Sequence, residues 1–278
     1  MSGPTIGSLR VPGATLHYEV RGQGPLLLLI PGGTGGAASF DGVADRLATA
    51  YTVAAYDPRG ISRSPLDDPG AAQSAAEHAD DALRLLELLT PGEPARVFGT
   101  SSGGIAALQL LAAHPGRLAR VVAHEPPVVE VLPDAIEHRA FLDRVRDALR
   151  RQGLGPAMAL FAAGLAKGGG APALEPVPDL PPPALEPTDA RVAGLPYFLG
   201  RIVPAFMSYA PDIHRLKSAS GRLALAVGRD SYGEIPHRAT TALAEQLGVE
   251  PRTFPGGHLG LTTQPDAFDD ALRSALQG

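Results

Sequence analysis

From Ala14 to Val20 apolar and polar side chains alternate, and the run stops at Gly22-Gln23-Gly24-Pro25, which predicts a short strand ending in a turn. Leu26 to Ile30 follows a different pattern, five aliphatic residues in succession closed by Pro31-Gly32-Gly33. A strand covered on both faces, as in a parallel sheet, accounts for such a run. A helical stretch over Phe40 to Ala50 leads to a strand at Thr52 to Tyr56 and a loop from Asp57 to Pro69. Over Ala71 to Leu89 the apolar positions Ala75, Ala79, Ala82, Leu83, Leu86 and Leu89 keep helical spacing until Pro91-Gly92 stops them. The strand Arg96 to Phe98 is followed by Gly99, a small-residue helix over Gly103 to His114, and a further strand at Arg120 to Ala123. Strands alternating with helices at this pace predict an α/β domain with a mostly parallel sheet.

The alternation breaks between about Glu130 and Lys217, where helical periods cover Ala135 to Arg151, Pro156 to Lys167 and Leu195 to Tyr209. Between the last two lies Ala171 to Pro187, whose seven prolines exclude a helix or a central strand and predict an extended tether. The α/β pattern resumes with a strand at Leu223 to Val227, a helix at Pro236 to Leu247, a strand at Arg252 to Phe254 and a last helix at Pro265 to Leu276. One sheet interrupted by a helical insertion explains this order better than two tandem domains, and 278 residues accommodate it.

Composition narrows the field of functions. Apolar residues make up 44% and charged residues 19%, which supplies a core and excludes a disordered chain. A net charge of -5 with pI about 5.9 argues against a nucleic-acid or anionic-membrane surface and favours a small-molecule substrate as partner. Without cysteine there are no disulfides, thiolate nucleophiles or cysteine-ligated metals. Residues 1 to 10 lack a basic segment followed by an apolar one, and no run of 18 apolar residues occurs, so the cytoplasm is the expected location. Nothing in the sequence sets an oligomeric state.

Gly99-Thr100-Ser101-Ser102-Gly103 matches G-x-S-x-G, a turn that lifts a serine between strand and helix, with a predicted strand before it and a predicted helix after it. Ser101 is therefore a candidate nucleophile, and at neutral pH it needs a base within hydrogen-bond reach. Of eight histidines, His258 sits in the glycine-rich loop Phe254-Pro255-Gly256-Gly257-His258-Leu259-Gly260 before the last helix and is the best placed to be that base. His78, His114, His138 and His237 fall on or at the ends of predicted helices and are expected to be solvated, whereas His124 and His214 are less easily dismissed. The backbone of the Pro31 to Gly36 loop can face a developing oxyanion, with the N–H groups of Gly33 and Ser102 as the natural pair. The same loop also satisfies G-x-G-x-x-[GA] at Gly33 to Ala38, with Asp57 ending the next strand about 20 residues on, as in an NAD(P)-binding fingerprint, but an oxidoreductase of that kind leaves Ser101 and His258 unexplained.

With the elbow, the glycine-rich loop and the late histidine in this order, the chain resembles the α/β-hydrolase family. Asp57-Pro58-Arg59-Gly60-Ile61-Ser62-Arg63-Ser64 is similar to that family's D-x-R-G-x-G-x-S loop with Ser62 in place of a glycine, and Pro31-Gly32-Gly33 is similar to its oxyanion loop with Pro31 where a histidine is common. The resemblance implies a hydrolase core over residues 1–129 and 218–278 and a variable helical cap over 130–217, including the Pro-rich segment 171–187. It implies a serine hydrolase that cleaves an ester, thioester, lactone or amide of a small apolar molecule, with no metal or organic cofactor. The same fold also hosts non-hydrolytic lyases or cyclases and ligand receptors. Phe161, Tyr197, Phe198, Phe206 and Tyr209 are candidate pocket walls in the cap. Two residues compete to be the acid of the triad. Family members usually carry it as Gly-x-x-Asp after the strand at 223–227, but here Gly228-Arg229-Asp230-Ser231 puts Ser231 at that place and Asp230 one residue early. Glu125, at the end of the strand after the elbow helix, is favoured over Asp230, because some members carry their acid there.

Overall fold

The computed structural model describes residues 3–166 and 194–277. Eight strands, β1 (Thr5–Val11), β2 (Ala14–Arg21), β3 (Leu26–Ile30), β4 (Thr52–Tyr56), β5 (Ala95–Thr100), β6 (Leu118–His124), β7 (Leu223–Gly228) and β8 (Arg252–Phe254), form one sheet in the order β1-β2-β4-β3-β5-β6-β7-β8. β2 is antiparallel to both its neighbours, and from β4 to β8 every pairing is parallel. The reversal of strand order around β3 and β5 places the loops after these two strands side by side at the carboxyl edge, where open α/β sheets bind ligands.

The aliphatic run of β3 is explained by a core on each face. Leu26, Leu28 and Ile30 pack on one side with Val97 and the helices α2 (Ala75–Leu89) and α3 (Ser102–Ala113), while Leu27 and Leu29 pack on the other with Phe98, α1 (Asp41–Leu47) and the C-terminal helix. All five are essentially inaccessible, and burying each stabilises the fold by about 1.5–3 kcal/mol relative to exposure. β1 carries no such signal. Its side chains are mostly exposed, and its register places Gly7 opposite Tyr18, whose ring occupies the space a side chain at Gly7 would need.

Between β6 and β7 the chain leaves the sheet. There α4 (Ala135–Gln152) and α5 (Leu154–Leu165) precede α6 (Leu195–Tyr197), which runs through one π-helical turn (Phe198–Ile202) into α7 (Val203–Met207), and α8 (Ile213–Ser218) returns to the sheet. Phe141, Val145, Leu160, Leu199, Ile202 and Phe206 join the core on the α2/α3 side. The Pro-rich segment 171–187, expected to be a tether, lies outside the described residues. The chain closes with α9 (Ile235–Leu247), the short α10 (Gly260–Thr263) and α11 (Pro265–Gln277). No helix among the described residues is long and apolar enough to cross a membrane.

Candidate active site

Ser101 is the single residue between the end of β5 and the start of α3, and it holds φ 53° and ψ −124°, a strained conformation for a residue with a side chain. Its amide donates to the carbonyl of His124 (2.9 Å), which ties the turn to the end of β6. The flanking glycines are there for space. A Cβ on Gly103 would meet the carbonyl oxygens of Ile30 and Pro31, and one on Gly99 would meet the backbone of Gly103. Two chains of backbone therefore approach more closely than any side chain allows, and the serine is pushed outward.

The loop between β8 and α10 brings His258 across the sheet edge. Its Nε2 lies 3.1 Å from Ser101 Oγ and its Nδ1 lies 2.8 Å from Glu125 Oε2. An ionised carboxylate only accepts, so Nδ1 carries the proton and Nε2 is left to accept from the serine hydroxyl. Glu125 directly follows β6, fully buried and itself in the left-handed region at φ 48°. Its other oxygen, Oε1, accepts from the Gly228 amide (2.8 Å) and from the Ser231 hydroxyl. Burial pushes the Glu125 carboxyl up, but the hydrogen bonds from His258 and Ser231 and the two neighbouring imidazoles outweigh it and hold the group below the ordinary carboxylate value.

Asp230, the competing acid, does not reach the histidine. Its side chain is exposed, because a shift of one residue on the turn after β7 points it to solvent while Ser231 turns inward. Ser231, the residue at the position where an acid was expected, serves Glu125 as a hydrogen-bond donor, a role the sequence did not suggest. Its spacing of three from Gly228, the other donor to the same oxygen, was the available signal.

The Gly33 amide is not open. At φ 61° it donates to Ser102 Oγ at 3.0 Å, so the hydroxyl beside the elbow occupies one of the two expected oxyanion donors. Of the proposed wall residues, Phe198 lies over Gly33, its ring edge 4.0 Å from where a side chain there would begin, and packs edge-on against Phe161 (centroids 5.9 Å). Phe206 lines a cavity of about 10 Å³ together with Gly33, Ser102, Pro31, Ile61 and Ile202. Tyr197 sits against Gly60 instead, and Tyr209 is tied by its hydroxyl to Gln109 of α3 (2.7 Å), so neither faces that cavity.

Asp57, read from sequence as a possible ribose ligand, is fully buried. It accepts from the Ala37 amide (2.8 Å) and pairs with Arg63 (2.8 Å), which leaves no oxygen free for a nucleotide. The rest of its motif is structural. Arg59 clasps Asp81 with two hydrogen bonds of 2.7 and 2.6 Å, Ser64 closes the loop onto the Asp57 carbonyl, and Ser62 adopts φ 50°, which explains the glycine that the motif usually has there. Two histidines expected to be solvated are buried. His138 packs in α4 beside Asp134, and His78 in α2 turns into the cavity described above. His124 is also fully buried, edge-on to Phe268 (5.1 Å) and beside Phe254 (5.8 Å), and burial lowers it to about 4.

Comparison with known proteins agrees with this architecture. Residues 25–170 match the family model described as alpha/beta hydrolase fold. An uncharacterized hydrolase, YraK, of Bacillus subtilis (strain 168) is 35% identical over 98% of this chain and 96% of its own length. A zearalenone hydrolase of Bionectria ochroleuca is 31% identical over 47% of this chain and 50% of its own. Among solved structures, the enol-lactonase from Burkholderia xenovorans LB400 superimposes with a TM-score of 0.67 at 17% identity, covering 98% of this chain and all of that one.

Proposed function

The chain belongs to the α/β-hydrolase fold family, and on that premise we propose that this hydrolase uses Ser101, His258 and Glu125 to cleave an ester, thioester, lactone or amide bond in a small, rather apolar molecule. The uninterrupted hydrogen-bonded relay from Ser101 Oγ through His258 to a buried, well-satisfied carboxylate carries this assignment. Ser101 Oγ attacks the substrate carbonyl carbon as its proton passes to His258 Nε2. Glu125 fixes the ring orientation and tautomer and stabilises the imidazolium that forms. The negative charge on the former carbonyl oxygen is met by the N–H groups of Ser102 and Gly33, the latter exchanging its bond to Ser102 Oγ for one to the oxyanion. His258 then protonates the departing alcohol, thiol or amine, and a water activated by the same nitrogen hydrolyses the acyl-enzyme.

The insertion between β6 and β7 acts as the cap that selects the substrate, with Phe161, Phe198 and Phe206 as its apolar wall. The names of the relatives support hydrolysis, and the enol-lactonase supports a lactone or ester among the candidate bonds. A p-nitrophenyl ester assay on Ser101→Ala and His258→Ala tests the mechanism. Each variant is expected to stay folded and to lose at least about a thousandfold in kcat, with the double variant little worse than either, because nucleophile and base act as one unit. Turnover near wild type in either single variant would remove that residue from the mechanism.

A further inference from the structure

The cavity beside the oxyanion donors has walls of Ile30, Pro31, Pro58, Ile61, Ile202 and Phe206, and two polar groups break that apolar lining. One is the Ser102 hydroxyl, which accepts from the Gly33 amide and keeps its own hydrogen to donate. The other is the His78 imidazole, which is buried on α2 among Ala75, Ala79, Ala82, Leu85 and Leu86, with the Arg59-paired Asp81 buried one turn further on. Its Nε2 is 3.0 Å from Gln73 Oε1, a carbonyl oxygen, so that nitrogen carries the proton and Nδ1 is an acceptor with no partner among the described residues. Phe206 meets the ring edge-on at 4.8 Å and fixes its plane. Burial, helped by the nearby Arg59 guanidinium, lowers His78 to about 3, so the ring stays neutral at working pH. A small donor that enters the cavity, a water or a hydroxyl, gives this nitrogen the partner it lacks.

We propose that this cavity is a subsite for one hydroxyl group on the acyl part of the substrate, which donates to His78 and accepts from Ser102. A hydroxyl is both donor and acceptor and so complements the pair, and a cavity of about 10 Å³ holds a group of the size of one water. The acyl side follows from the lining. The leaving group has to stand at His258 to be protonated, and the cavity is bounded by the oxyanion residues Gly33 and Ser102 without His258. The inference rests on the serine-hydrolase assignment and narrows its substrates to hydroxyacyl esters or the corresponding hydroxylated lactones. His78 is then a specificity residue that takes no part in the bond-breaking steps.

The test is a set of p-nitrophenyl acyl esters with a hydroxyl on C3, C4 or C5, each compared with the ester carrying a methyl group in its place and corrected for the uncatalysed rate. In the wild type at least one pair is expected to favour the hydroxyl by tenfold or more in kcat/KM. His78→Leu is expected to bring that ratio to within about threefold of one, while His78→Asn, which keeps an acceptor, retains part of it. Ser102→Ala keeps its backbone amide and loses only the hydroxyl, so it is expected to lower the same ratio and decides the matter if His78→Leu fails to fold. Wild-type ratios below threefold for every pair, or a preference that survives both His78→Leu and Ser102→Ala, would overturn the subsite and leave the serine mechanism standing. Absence of turnover on all the esters together with an unreactive Ser101 would overturn the mechanism and the subsite with it.

Discussion

Only three described non-glycine residues hold a left-handed φ, namely Ser62, Ser101 and Glu125, and two of them are the proposed nucleophile and acid. Such conformations cost about 1–3 kcal/mol each and persist where the surroundings over-determine them. At Ser101 the close approach of Gly99 and Gly103 does so, and at Glu125 the two donors on Oε1 and His258 on Oε2 do. Ser62 has no such duty, so Ser62→Gly is expected to raise stability by about 0.5–1 kcal/mol with activity unchanged, read as a shift in urea midpoint. Glu125→Gln is expected to lower kcat by orders of magnitude through loss of the productive tautomer, whereas the exposed Asp230→Asn stays within about twofold of wild type. A crippled Asp230→Asn beside an active Glu125→Gln would reverse the assignment of the acid. Ser101 and His258 were singled out by their glycine-rich settings and Glu125 by the resemblance to family members that carry an acid after the same strand, and the structure brings the three within hydrogen-bond distance. The acid was left open between two residues, because which of two neighbouring turn positions faces inward depends on the exit of β7, and spacing alone does not reveal that.

Among the elements, the β5–Ser101–α3 unit is the most constrained. Gly103→Ala sets a methyl group against the Ile30 and Pro31 carbonyls, so it is expected to destabilise by about 2 kcal/mol or more and to reduce activity with it, because the elbow has to open to admit the methyl. Differential scanning calorimetry alongside ester turnover checks both parts. The buried strands and long helices were legible because their apolar periods are set by the core they touch, as the two-faced run of β3 shows. β1 was not, since an edge strand with mostly exposed residues and a glycine opposite Tyr18 has no period to read. His78 was misjudged for the opposite reason. Glu77 and Asp80 beside it suggest a wet helix face, yet residues 75, 78, 79, 82, 85 and 86 form one stripe, and all of them are buried. The spacing held the information and the polarity of the residue concealed it.

At the scale of the molecule, a polar site is built at the edge of a sheet whose two faces are sealed by separate cores, and the buried imidazoles make that construction sensitive to acid. His124 and His78 sit near 4 and 3 in the folded protein and near 6.5 when unfolded, so as pH falls below about 6.5 the unfolded chain takes up protons that the folded one refuses. Their contribution is fully present above about pH 6.5 and shrinks as pH falls, by up to roughly 3 kcal/mol for each ring by pH 4. Glu125, held below its ordinary value, adds a loss at lower pH still, as it takes up a proton. Urea midpoints are expected to stay level from pH 8 to about pH 6.5 and then to fall towards pH 4 with the slope of two protons or more, because burial also holds His138 below its ordinary value, and His124→Leu is expected to remove about one of them; a flat profile would show that these rings are not neutral and buried in solution. The most direct test of the central claim is labelling of the folded protein with a fluorophosphonate, followed by mass spectrometry of the peptide that contains Ser101. A phosphonyl adduct on Ser101, lost in His258→Ala and greatly slowed in Glu125→Gln, is the predicted result, and a folded wild-type protein with Ser101 unmodified would contradict it.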